Sequence, residues 1–256
     1  MPDRSFAASL ASLLSLALAW TAAGTAQALD FDDLVHGEIA NGFVDGVTIT
    51  ADNFDEAFDL AVGFDTRESG TRDADLEAAL FSPYWAGGNI ADEALDLILV
   101  IQENDLGCGD GVCDAPDDEG SRNGGLGAGT LGFAFDVPLV AFGFDVVDVE
   151  SAMAENGRID FFADADDVPD ATVTFLDLVT PASGFYDPTI AYGDRTANRI
   201  DPITAESLGI PAFDRVVVTM GGSGGIDNLA TTSLPEPATG LLVGLGLAIA
   251  GARRRH

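Results

Sequence analysis

The chain predicts an all-β protein, an antiparallel β-sandwich of jelly-roll type, and three observations carry that expectation. Short stretches alternate apolar and polar residues with the two-residue period of a strand. Gly, Asp, Asn and Pro punctuate them, and few windows show the helical period. About ten such stretches in a domain of roughly 200 residues is the natural size of a jelly roll.

Taken in order, residues 43–50 alternate after a glycine turn, and 57–65 set Phe58, Leu60, Val62 and Phe64 on one face. Residues 97–101, Leu-Ile-Leu-Val-Ile, form an unbroken apolar run, the pattern of a strand buried on both faces. Further strands are expected at 130–135, 140–147, 158–162, 171–176, 215–220 and 225–230, the last two joined by a glycine-rich hairpin at 221–225. Helix signals are confined to 73–80 and 90–95, a turn or two each. The Gly- and Asp-rich connection 103–129 exceeds the ~15 residues beyond which loops are usually functional or disordered.

The two ends read as addresses. Arg4, an apolar run over 6–20 and the small-x-small site Ala26-Gln27-Ala28 predict a secretory signal peptide over 1–28, with Leu29 as the first mature residue. At the other end, a linker over 231–237 closes on Pro235-Glu236-Pro237. An uncharged run over 238–252 follows, broken by four glycines, and then Arg253, Arg254 and Arg255. As a short hydrophobic helix the run spans about 22 Å, less than the ~30 Å hydrocarbon core. The arginines would hold its end on the cytoplasmic side, so residues 238–256 make a transient contact with the inner membrane. These features resemble a PEP-CTERM sorting signal. The resemblance implies export to the cell envelope, outer surface or extracellular matrix of a Gram-negative-type bacterium, and recognition by an exosortase-type sorting protease. It leaves 29–230 as the β-sandwich domain.

The net charge is −32, and every one of the 11 basic residues is arginine. Such a surface repels nucleic acid and anionic membranes, and it attracts cations or tolerates salt. The many Phe, Val, Ile and Leu among the acids speak against disorder. Cys108 and Cys113 suit an exported chain with one small disulfide loop. Zinc would need more ligands than two cysteines and the single mature histidine, His36, supply.

Two acidic constellations are candidate Ca²⁺ sites. The first joins Asp65, Asp73, Asp75, Glu103, Asp117 and Asp118, carboxylates at loop ends of the kind a hard cation needs, with Asp73 and Asp75 on one side if their segment is extended. These segments resemble an acidic pattern recurring in exported bacterial sandwich proteins, one that carries no established activity. The second joins Asp32, flanked by Asp30 and Asp33, to Asp227 and Asn228. Here the closing strands resemble those of jelly-roll carbohydrate-binding modules, which implies adjacent terminal strands and a structural Ca²⁺. In so acidic a chain, solvated loops and strand-end turns explain the same residues. The Cys loop lacks the EF-hand spacing.

Catalytic patterns are few. His36 has no G-x-S-x-G partner, and the absence of lysine removes Schiff-base and P-loop chemistry. A pair of glycosidase carboxylates cannot be singled out among so many acids. Tyr84 and Trp85, with Tyr186 and Tyr192, lie in loop-like contexts where a ring can stack on a sugar or anchor its loop. The expectation is therefore a non-catalytic, calcium-stabilised structural or binding protein of the extracellular matrix, with polysaccharide as partner. The alternative is a secreted polysaccharide hydrolase, which would release reducing sugar.

Overall fold

One strand organises the sheet. The computed structural model describes residues 24–44, 46–78, 83–119, 127–150 and 156–234. Within it the strands are β1 Ala26–Leu29, β2 Gly42–Val44, β3 Val47–Asn53, β4 Ala61–Asp65, β5 Leu97–Ile101, β6 Gly129–Val147, β7 Arg158–Phe162, β8 Ala171–Thr174, β9 Ala197–Thr204, β10 Phe213–Met220 and β11 Gly225–Ser233. All are paired antiparallel. The first half of β6 lies between β3 and β10, the second between β11 and β9. The change of partners falls at Asp136, Val137 and Pro138, which are exposed. Proline offers no ladder N–H, so this is where a 19-residue strand can leave one set of neighbours and join another. The expected strands 130–135 and 140–147 are these two halves.

The strand β5 lies between two cores. Leu97, Leu99 and Ile101 join the main apolar cluster, which gathers Phe133, Phe142, Phe144, Phe161 and Phe213 among others. Ile98 and Val100 point the other way, onto Val62, Phe64, Leu76, Trp85 and Ile90. All five are buried, which is why the run carries no polar residue.

Several expectations need correction. The single strand expected at 43–50 is two, β2 and β3, with Val44 paired to Val47 and Gly46 at φ +88. The strand expected at 57–65 begins at Ala61. The expected helices at 73–80 and 90–95 are turns over their described residues. Among the described residues two short α-helices occur elsewhere, α1 Phe175–Val179 and α2 Ala205–Leu208. In the first, Thr174 and Asp177 form a reciprocal capping box, which ends the expected strand 171–176 at Thr174. In the second, Thr204 caps the start and left-handed Gly209 ends it.

Residues 26–233 form one compact unit. Its first strand, β1, pairs with Leu229–Thr232 of β11, so the termini of the domain adjoin. Cleavage after Ala28 would remove three of the four residues of β1. The expected sorting motif and tail, 235–256, and residues 1–23 of the expected signal peptide lie outside the described residues. Among the described residues no helix is long and apolar enough to cross a membrane.

Candidate metal centre

The end of β5 and the loop after the Cys pair are fastened by one buried side chain. Gln102 accepts the N–H of Asp117 on Oε1 (3.1 Å) and donates from Nε2 to the carbonyl of Ala115 (3.0 Å). Backbone bonds from Glu103 to Asp117 (3.0 Å) and from Glu119 to Ile101 (2.8 Å) complete the attachment. The loop itself is closed by a disulfide between Cys108 and Cys113. Asp117 and Asp118 are thus held at the rim of β5.

Asp73 reaches the same place from a turn. Its Oδ1 accepts the N–H groups of Asp75 (2.9 Å) and Leu76 (3.3 Å), and its carbonyl accepts the Thr71 hydroxyl (2.8 Å). Because this segment turns, Asp73 and Asp75 are not the extended same-side pair that the sequence suggested. Ligand oxygens of Asp73, Asp117 and Asp118 lie within 4.8 Å of one another. Two oxygens bound to one Ca²⁺ at ~2.4 Å are at most about 4.8 Å apart, so the three fit a single such ion.

The rear wall comes from the glycine-rich hairpin before β11 and from a turn at Asp148. The Gly224 N–H, in the hairpin between β10 and β11, donates to Asp118 Oδ2. Asp148, at left-handed φ just beyond β6, accepts the Arg195 N–H on Oδ1 (2.5 Å) and the Ser223 hydroxyl on Oδ2 (3.3 Å). Asp148 is a component that the sequence reading missed. Its only signal was an Asp two residues before Glu150 at the close of a long apolar strand.

Burial first, and mutual repulsion second, mark the site. Burial, a hydrogen bond to Asp73 and the Asp73 charge hold Asp118 well above the usual carboxylate range. Burial, aided by the charges of Asp73, Asp75 and Asp194, raises Asp148 to about 7. Burial and Asp73 raise Asp117 to about 6, against an opposing effect of Arg72. A divalent cation held by Asp73, Asp117 and Asp118 would relieve the repulsion among them.

The remaining expected ligands lie elsewhere. Asp65 is paired with Arg67 (2.8 Å). The Glu103 carboxylate is outside the three-acid cluster, although its N–H holds Asp117. Asp32 accepts the Leu97 N–H (3.2 Å). Asp227 is only 2% exposed, and its Oδ1 has no hydrogen-bond partner among the described residues. Burial, with the charges of Asp145, Asp32 and Asp30, raises it to about 8. Asn228, at left-handed φ in a bulge of β11, spends its amide on Asp145 (2.9 Å). Asp227 and Asp32 are therefore neighbours electrostatically, as the adjacent terminal strands require, while Asn228 faces Asp145.

The aromatic expectation needs correction at Trp85. Its ring is 1% exposed in the second core, and its Nε1–H donates to the Glu93 carbonyl (3.1 Å), so it offers no face to a sugar. Tyr84 is 38% exposed. Tyr192 stacks on Phe175. His36 accepts the Asp65 N–H on Nδ1 (3.0 Å), and burial lowers its pKa.

Comparison with family models, with curated proteins and with solved structures finds no match to this chain.

Proposed function

We propose that the protein is an exported, non-catalytic binding protein of the bacterial cell surface or extracellular matrix. In this reading its sandwich of jelly-roll type is stabilised by calcium at Asp73, Asp117 and Asp118, and it engages polysaccharide. A PEP-CTERM-like tail and an exosortase-type protease deliver it. The observation that carries the reading is the convergence of three carboxylates, two of them raised well above their ordinary range, from segments far apart in the chain. Folding brings these like charges together, and Ca²⁺ offers the compensation that an arginine-poor chain does not. The shared strand β6, with different neighbours on its two halves, supports the two-layered arrangement.

The test is thermal unfolding of the purified protein in chelator, then in millimolar Ca²⁺, Mg²⁺, or a monovalent salt of matched ionic strength. A ligand binding only the folded state at a hundredfold excess over Kd adds ~2.7 kcal/mol. For a domain of this size that raises Tm by about 5–10 °C. Equal responses to all salts would remove calcium from the account and leave screening of the charge.

A further inference from the structure

With Trp85 buried, the best-placed exposed ring on a cleft is Tyr186. It is 39% exposed and stands in the turn-rich segment after α1. It lines a cleft of about 370 Å³ with Pro188, Pro202 and Ser207, floored by the buried Leu178 and Ile203. A second cleft of about 420 Å³ is lined by Asn89, Glu93, Thr189 and Arg199. Asp187 and Asp201 line both, so the two parts of this groove adjoin at these residues. Each part falls within the roughly 300–1,000 Å³ of small-molecule sites.

The chemistry of the groove selects its occupant. One part offers an amphipathic ring between prolines over an apolar floor, which suits the C–H face of a sugar ring. The other part presents carboxylate acceptors (Glu93, Asp187, Asp201), to which sugar hydroxyls can donate, while the Asn89 amide is already spent on the Thr189 hydroxyl and the Arg199 carbonyl. Arg199 is already neutralised by Asp145 at 2.8 Å and Glu93 at 2.9 Å, so the groove holds no unpaired cation to draw an anionic chain. A cationic peptide would share its space with Arg199. We propose that this groove binds a segment of a neutral glycan chain, one sugar stacked on Tyr186 and its neighbour hydrogen-bonded at Asp187 and Asp201. The proposal rests on the polysaccharide-binding reading above and gives it a place distinct from the metal centre.

Affinity electrophoresis through gels carrying a neutral β-glucan, a xylan, an α-glucan or a polyuronate tests it. The wild-type protein, Y186A, D201N and V168A, which lines neither cleft, are compared, with oligolysine binding measured beside them. All three altered side chains are exposed, so Tm serves as the folding control. The expected result is retardation by a neutral glycan, weakened about tenfold by Y186A and by D201N and unchanged by V168A. Retardation that survives both groove variants overturns the groove and leaves glycan binding standing. No retardation by any glycan overturns both. Retardation by the polyuronate alone, or oligolysine binding that Y186A abolishes without any glycan binding, overturns the neutral-glycan occupant.

Discussion

Arg199 and Asp145 stand directly opposite each other on β9 and β6 and are joined by two contacts, Nε to Oδ1 at 2.9 Å and Nη2 to Oδ2 at 2.8 Å. Asp145 is 1% exposed, and it also accepts the Asn228 amide. The arginine thus pins the second half of β6, where β9 and β11 meet it.

Arg199→Ala strands a buried carboxylate. Because the Arg199 side chain is 43% exposed, the expected loss is about 2–3 kcal/mol, below that of a fully buried pair. Denaturant unfolding of R199A, D145N and the double variant measures it. The double variant should lose less than the sum of the singles, since each removes the same contact. Strict additivity would show that the pair is not coupled.

The disulfide is expected to contribute modestly. Closing so short a loop is worth about 2 kcal/mol in the chain-entropy account. Backbone bonds hold the loop independently, from Cys113 to the Gly37 carbonyl (2.7 Å) and from Ile39 to the Gly111 carbonyl (2.9 Å). Reduction should lower Tm by roughly 4–8 °C and leave the Ca²⁺ response in place. Gly37→Ala should be harsher than reduction, because its φ is +87 and a Cβ would lie 2.3 Å from the Cys113 carbonyl oxygen. A Ca²⁺ response lost on reduction would mean that the disulfide, rather than Gln102, positions Asp117.

Trp85→Ala and Tyr84→Ala should separate two adjacent aromatics. The first empties the second core and costs about 3–5 kcal/mol, while the second changes stability by less than about 0.5 kcal/mol. Chemical denaturation of both variants checks this. A near-neutral W85A would contradict the buried position.

What was legible follows from local causes. The Leu97–Ile101 run announced its burial because each side chain answers to a core on its own face. Trp85 was not legible, because neighbouring Pro and Gly suggest a surface loop while the segment wraps over the second face of β5. The strand β9 was hidden because Arg199, Asp201 and Pro202 break its apolar pattern. Arg199 is there for Asp145, a partner far away in sequence. Asp73, Asp117 and Asp118 were recognisable as cation-binding types, but Asp148 enters through a backbone turn that no spacing rule marks. The capping box at Thr174 was readable and shows how two residues end a strand that alternation alone would extend.

Stability should fall as pH rises when metal is absent. Asp227, Asp148 and Asp117 are raised to about 8, about 7 and about 6. In the unfolded chain such groups titrate near ~3.9. The folded state therefore retains protons that the unfolded chain has already released. That contribution is complete below about pH 4 and is lost as pH climbs through the raised values toward about 8. In chelator, Tm should decline from about pH 5 to about pH 8. Ca²⁺ should flatten the decline by replacing protons at Asp117 and its neighbours. A Tm that rises over this range in chelator would contradict the buried, repelling carboxylates.

Asp118→Asn distinguishes a metal ligand from a structural acid by the sign of its effect. Without metal, burial and Asp73 raise the pKa of Asp118 well above the usual carboxylate range, so ionising it in the folded state is costly. An asparagine amide has the same shape, can still accept the Gly224 N–H on its oxygen, and no longer repels Asp73 and Asp148. D118N in chelator should therefore be as stable as wild type or more so, with the difference widening toward pH 8, where ionising the acid costs most. With Ca²⁺ present the order should reverse, because the variant lacks an anionic ligand and forfeits the rise of about 5–10 °C. The measurement is Tm of both proteins, with and without millimolar Ca²⁺, at about pH 5 and pH 8. A D118N protein that is weaker in chelator yet keeps the full Ca²⁺ response would make Asp118 a packing and hydrogen-bonding residue, and would move any cation away from this cluster.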